Sequence, residues 1–177
     1  MENKEYRIPF AGLKQGKHKF EFDLDKTFFE SFDYNEFNDV TLKLRVVLNR
    51  MSTVLEFEMT ATGLVNVNCD LTNESYDQPL EADLELLVKF GQEYNDDDDE
   101  ILIIPHGEHQ VNIAQYVYEM IVLAVPSKLI HPGVTDGTLD SKALKKLEEL
   151  QPKENEQKNK DNIDPRWDAL KNLLTDK

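Results

Sequence analysis

The chain has 177 residues, 20 of them Lys or Arg and 35 Asp or Glu, giving a formal net charge of −15. That length suits one domain with a core large enough to fold by itself, plus a tail, and a hydrophobic content of 40% excludes a wholly disordered chain. One cysteine excludes an internal disulfide framework and a zinc site built from several thiolates.

In chain order, Tyr6 to Phe10 and Lys19 to Phe22 read as short strands flanking a turn region at Gly12 and Gly16, and Phe28, Phe29 and Phe32 share about one helical turn. Val40, Leu42, Leu44, Val46 and Leu48 then alternate with Thr41, Lys43, Arg45, Val47 and Asn49, the period of two of a half-buried strand. The alternation resumes through Leu55, Phe57, Met59 and Ala61 to Val65, Val67 and Cys69. A hairpin centred between Arg50 and Met51 pairs Arg45 with Glu56, Lys43 with Glu58, Leu44 with Phe57 and Leu42 with Met59, so opposite charges and apolar pairs fall into register together. Lys43 and Arg45, neutralised in that way, are poor phosphate ligands.

Gly63 interrupts the second strand and marks a bulge or bend. After a turn-rich stretch from Asn73 to Pro79, Leu80, Ala82, Leu84, Leu86, Val88 and Phe90 alternate with Glu81, Asp83 and Glu85, predicting a strand with an acidic outer face. Asn95 to Glu100 reads as a loop, and Ile101 to Ile104 as a short returning strand.

The second half changes period. Asn112 is placed to cap a helix, with Gln115 completing a capping box. Ile113, Tyr116, Val117, Met120, Ile121 and Ala124 share one face, and Pro126 ends the run. Residues 140–150 form a weaker amphipathic helix through Ala143, Leu144, Leu147 and Leu150. The expected organisation is a main α+β domain over 1–135, a peripheral helix within 136–150, a mobile linker over 151–163 and a short helix in 164–177, opened by Asp164-Pro165. That last helix, Asp164-Pro165-Arg166-Trp167 with Leu170 and Leu174, is too short to be stable alone, so it docks on its own domain or on a partner with Trp167 as anchor. Strands followed by helices predict an α+β fold: an antiparallel sheet of five to seven strands, strongly curved or an open barrel, with the 112–125 helix packed on it.

The acid is unevenly placed. Residues 70–100 hold twelve carboxylates, including Asp96, Asp97, Asp98 and Asp99, against the single base Lys89, and so supply −11 of the −15. Residues 1–50 balance nine bases with nine acids, and residues 151–177 balance six with six. Such a band solvates a surface, repels polynucleotide phosphates and attracts basic partners.

Nothing in the sequence specifies an enzyme. Cys69 has carboxylate neighbours, which raise a thiol pKa, and its parity puts it on the apolar face as a small buried side chain. His106, His109 and His131 with Cys69 make a four-ligand set on paper only, because Pro105 and Gly107 put the first two histidines in a loop. A calcium loop beginning at Asp97 fails, with Ile101 at a ligand position and Leu102 where glycine is required. There is no P-loop, G-x-G-x-x-G after a strand, G-x-S-x-G or H-E-x-x-H. No catalytic residue, metal or cofactor is assigned. No apolar stretch approaches the roughly 20 residues of a membrane span, and Met1 to Glu5 lacks the basic and apolar regions of an export signal. A soluble cytoplasmic protein without a membrane partner is expected.

The order of features carries a resemblance. A hydrophobic hairpin leads into Val65-Asn66-Val67-Asn68-Cys69-Asp70. After the acidic segment come Asn112-Ile113-Ala114-Gln115-Tyr116-Val117-Tyr118-Glu119-Met120-Ile121-Val122-Leu123-Ala124-Val125-Pro126, then His131-Pro132 and the terminal Asp164-Pro165-Arg166-Trp167. Over most of its length the chain resembles the YceD-like family of large ribosomal RNA subunit accumulation proteins, small bacterial and plastid proteins. The resemblance implies a non-enzymatic role in accumulating or processing the large-subunit ribosomal RNA precursor. Many members carry Cys-x-x-Cys where this chain has Cys69-Asp70-Leu71-Thr72, and further cysteines after the His-Pro region, where residues 133–140 have none. A family zinc site is therefore expected to be absent, with Cys69 filling space in the core. The expected partners are ribosomal proteins or assembly factors with basic surfaces on the pre-ribosomal large-subunit particle, with any contact to its rRNA made by the charge-balanced N-terminal part or tail. Asp96–Asp99 and the Asp164, Pro165, Arg166, Trp167 and Leu170 group are the candidate partner-binding residues. The rival expectation is a general acidic module that binds basic clients without ribosome specificity.

Overall fold

The computed structural model describes residues 6–98 and 100–150. They fall into two compact units, one ending at Asp140 and one beginning at Ser141.

The first unit is α+β. Its principal sheet has six strands and is not closed: β2 (Gly16–Leu24), β3 (Asp39–Arg50), β4 (Val54–Asn68), β5 (Ser75–Gly91), β6 (Asn95–Asp98) and β7 (Ile101–Pro105), ordered β2-β3-β4-β5-β7-β6. Every pairing is antiparallel except β5 with β7, which run parallel. A separate two-stranded ribbon joins β1 (Arg7–Pro9) to β8 (Gln110–Asn112), with Ile8 opposite Val111. The short helices are α1 (Lys26–Glu30), α2 (Ala114–Ala124) and α3 (Pro132–Thr135).

The strand alternation builds the core directly. Val40, Leu42, Leu44, Val46 and Leu48 of β3, with Leu55, Phe57, Met59, Ala61, Val65 and Val67 of β4, form one buried face, continued by Leu80, Ala82, Leu86 and Val88 of β5. Helix α2 packs against β5 through Ala114, Val117, Met120 and Ile121. Asp25 caps α1 by accepting the Phe28 amide at 3.3 Å, which sets Phe28 and Phe29 into the core. Around them Phe32 stacks on Tyr118 of α2, with ring centroids 4.5 Å apart, and Phe37 meets Phe29 edge-on at 5.0 Å.

The hairpin register differs from the one drawn from charge. Arg45 lies opposite Thr60, Lys43 opposite Thr62 and Leu44 opposite Ala61. The turn is centred on Ser52 and Thr53 and closed by the Met51 amide on the Val54 carbonyl at 3.0 Å. A displacement by an even number of residues keeps every side chain on its own face, so the apolar pattern fits both registers and cannot choose between them. Two further expectations are corrected. Gly63 makes no bulge, since it pairs in unbroken register with Leu42 on one side and Leu80 on the other. Asn95–Asp98 is the strand β6, not a loop; its residues are all exposed, so no apolar periodicity marks it.

Asn112 accepts the Ala114 amide at 3.1 Å, whereas Gln115 hydrogen-bonds Glu119 one turn on, so the capping box is not formed. In the second unit, α4 (Lys142–Leu150) follows Ser141, whose Oγ accepts the Ala143 amide at 3.2 Å. The expected linker 151–163 and terminal helix 164–177 lie outside the described residues.

Candidate functional site: an anionic sheet face

The outer face of the sheet sorts charge by strand. Toward β2 and β3 it carries Lys17, Lys19, Lys43 and Arg45 interleaved with Glu21 and Asp23. The carboxylates opposite Lys43 and Arg45 come from β2 and not from β4: Glu21 is opposite Arg45, with its Oε1 3.8 Å from Nε, and Asp23 is opposite Lys43. The corrected register therefore takes Glu56 and Glu58 away from Arg45 and Lys43; Glu56 instead accepts the Asn49 side-chain amide at 2.9 Å.

These two join the acids of β5. Glu58 lies directly opposite Glu85, Thr60 opposite Asp83 and Thr62 opposite Glu81, while Asn66 donates to Asp77 at 2.7 Å. Glu56, Glu58, Asp83, Glu85 and Glu100 line one shallow concavity floored by Leu87 and Ile101. Among the described residues only Lys17, 3.4 Å from Glu58, forms an ion pair with this group. Glu81, Asp83 and Glu85 recur at alternate positions, about 7 Å apart along an extended strand. Two like charges directly opposite each other cost stability, and at the Glu58–Glu85 pair Lys17 offsets part of that cost.

Strand β6 adds Asp96, Asp97 and Asp98 at the sheet edge, all exposed. Asp96 accepts the Tyr94 hydroxyl at 3.1 Å, Asp97 accepts the Asn95 side-chain amide at 2.8 Å and Asp98 accepts the Glu100 backbone amide at 3.0 Å. Each of these donors is neutral, so none of them offsets the negative charge of the edge. Asp99, Asp164, Pro165, Arg166, Trp167 and Leu170 lie outside the described residues.

Tyr94, just before β6, interacts with Tyr116 of α2. Burial pushes Tyr116 up to about 12, helped by Tyr94, Asp96 and Glu119, and burial and the Asp96 hydrogen bond raise Tyr94. A raised phenol pKa means that the fold favours the neutral form. The stability it contributes is whole below about pH 10, the ordinary value for tyrosine, and is lost as pH rises through about 12. Urea-unfolding midpoints of the wild type are expected to fall between those pH values, and Tyr116→Phe is expected to flatten that fall. An equally steep decline in the variant would assign the effect to other groups.

The two motifs Asn68-Cys69-Asp70 and His131-Pro132 come together at the β4–β5 connection. The His131 amide donates to Cys69 Sγ at 3.3 Å, the Leu129 amide donates to Asp70 Oδ2 at 2.8 Å, and the Asp70 amide donates to the Leu129 carbonyl at 2.7 Å. His131 Nδ1 accepts the Gly133 amide at 2.9 Å, and its ring meets Tyr76 edge-on at 5.3 Å. Cys69 is buried, as its parity predicts. Its pKa runs opposite to the expectation from Asp70: burial pushes the thiol up, but the His131 amide, the Thr72 hydroxyl and the Leu71 and Thr72 amides together hold it below its ordinary value. His106 and His109 lie instead between β7 and β8, where His106 stacks on Phe90 at 6.2 Å. Among the described residues, no three of His, Cys, Asp and Glu stand together as metal ligands would.

The class that this geometry defines is an α+β protein with one broad anionic sheet face. The family model described as "Large ribosomal RNA subunit accumulation protein YceD" matches residues 57–174, from within β4 onward, and the chain belongs to that family. No curated protein and no solved structure matches the chain. The family's name ties the protein to accumulation of large-subunit ribosomal RNA. No helix among the described residues is long and apolar enough to cross a membrane.

Proposed function

We propose that this protein is a non-enzymatic factor in large ribosomal subunit biogenesis that acts through protein contacts on the pre-ribosomal particle. The observation that carries the proposal is the outer face of β4 and β5, where Glu56, Glu58, Glu81, Asp83 and Glu85 share one surface and only Glu58 meets a cation among the described residues. Bare RNA is a poor occupant of such a face, because every phosphate contact wants a cation and the face supplies carboxylates. A basic ribosomal protein or a basic assembly factor is the complementary occupant, since lysines or arginines at alternate positions of an extended segment match the carboxylate spacing. Asp96, Asp97 and Asp98 extend the same sign of charge to the sheet edge. In this reading the terminal Asp164-Pro165-Arg166-Trp167 segment supplies a second contact, with Trp167 as its anchor.

Gradient sedimentation of cell extracts tests the role. The protein is expected to comigrate with large-subunit precursors, and its depletion is expected to lower large-subunit ribosomal RNA relative to small-subunit RNA. A protein that stays at the top of the gradient, with both RNAs unchanged on depletion, contradicts the role and leaves the general acidic module.

A further inference from the structure

The two edges of the six-stranded sheet are built differently. At one end, β6 is four residues long, interrupted by a register shift and entirely Asn and Asp. Those are the devices that stop an edge from pairing with another chain. At the other end, β2 runs for nine residues in unbroken register with β3, contains no proline, and has no strand on its far side among the described residues. Half of its backbone N–H and C=O groups point away from β3, as in any edge strand.

The side chains of β2 are arranged for a particular occupant. On the outer face Lys17, Lys19, Glu21 and Asp23 follow one another, all exposed; on the inner face His18, Phe20 and Phe22 are only half buried. Two copies of this strand laid antiparallel with Phe20 opposite Phe20 bring Lys17 opposite Asp23 and Lys19 opposite Glu21, and the two-fold axis repeats both pairs. His18 then faces Phe22, so the inner aromatics of the two edges cover one another. Sliding by two residues in either direction, the smallest step that keeps each side chain on its face, sets Lys19 against Lys19 or Glu21 against Glu21 on the axis. Of these three registers only the one centred on Phe20 is free of like-charge pairs.

We propose that the chain forms a two-fold dimer by β2–β2 pairing across Phe20, joining two six-stranded sheets into one. The isologous symmetry follows from the strand's own charge order, in which each base has its acid mirrored about residue 20. The anionic face opposes this arrangement little, because its carboxylates sit on β4 and β5, whereas β2 and β3 carry interleaved charges of both signs. Strand β2 lies outside residues 57–174 matched by the family model, so the inference is separate from the family assignment.

Sedimentation equilibrium of the full chain tests it by charge exchange. The wild type is expected to reach twice the monomer mass. Lys19→Glu and Glu21→Lys each place two like-charge pairs across the axis, and each is expected to weaken the dimer by at least about tenfold. Both positions are exposed, so the core is untouched. An equimolar mixture of the two variants is expected to form a heterodimer, because Lys19→Glu presents acids at both positions and Glu21→Lys presents bases at both. The double variant Lys19→Glu/Glu21→Lys is expected to restore the homodimer. A wild type that stays monomeric overturns the proposal. So does a dimer that both single reversals leave unchanged, or variants that fail to recover on mixing.

Discussion

Gly63→Ala is expected to destabilise the protein by roughly 3 kcal/mol or more. The position sits in β4 between Leu42 and Leu80, in the middle of the sheet. Its φ of +153° is a conformation that side chains rarely adopt, and a Cβ there would lie 2.2 Å from the Thr41 carbonyl oxygen and 3.0 Å from Leu42 Cα. Both obstacles are backbone atoms of the neighbouring strand, so relief means moving β3 and not turning a side chain. The effect spreads because β3 carries the buried Val40–Leu48 face, while β2 hangs on its other edge. Urea unfolding monitored by circular dichroism measures it, with Thr62→Ala on the exposed face as the neighbouring control, expected within about 0.5 kcal/mol of wild type. A Gly63→Ala variant as stable as that control would mean that β3 and β4 do not approach as closely as described.

The inward face of the sheet is legible in the alternation of β3, β4 and β5, because burying one face of a pleated strand leaves a period of two that few other structures produce. Strand length and partner are harder to read. The pattern that marks Lys19 to Phe22 extends to Gly16 and Leu24, where the half-buried His18 is the missed signal. β6 has no apolar residue at all, and its place in the sheet depends on β7, which the chain reaches only afterwards. The β3–β4 register is misjudged from sequence for a physical reason. Opposite charges near a turn suggest cross-strand pairs, but apolar parity leaves that register degenerate, and the acids opposite Arg45 and Lys43 come from β2 on the far side of β3. The error matters for the site, because it assigns Glu56 to Arg45 and Glu58 to Lys43. In the structure β2 provides those acids, and Glu56 and Glu58 join Asp83 and Glu85 in one concavity. The acidity of β5 is legible from Glu81, Asp83 and Glu85, but the breadth of the anionic face depends on which strand lies beside it.

Reversing the acids of β5 probes that face with little disturbance to the fold, since Glu81, Asp83 and Glu85 are exposed and form no ion pair among the described residues. The informative quantity is the affinity of the full-length Glu81→Lys/Asp83→Lys/Glu85→Lys variant for purified large-subunit precursor particles, measured beside wild type from low to physiological salt. Wild-type affinity is expected to fall as salt rises, and the triple variant is expected to bind at least about tenfold more weakly at low salt. Binding of the variant that matches wild type at every salt concentration would contradict the assignment of this sheet face as the contact surface.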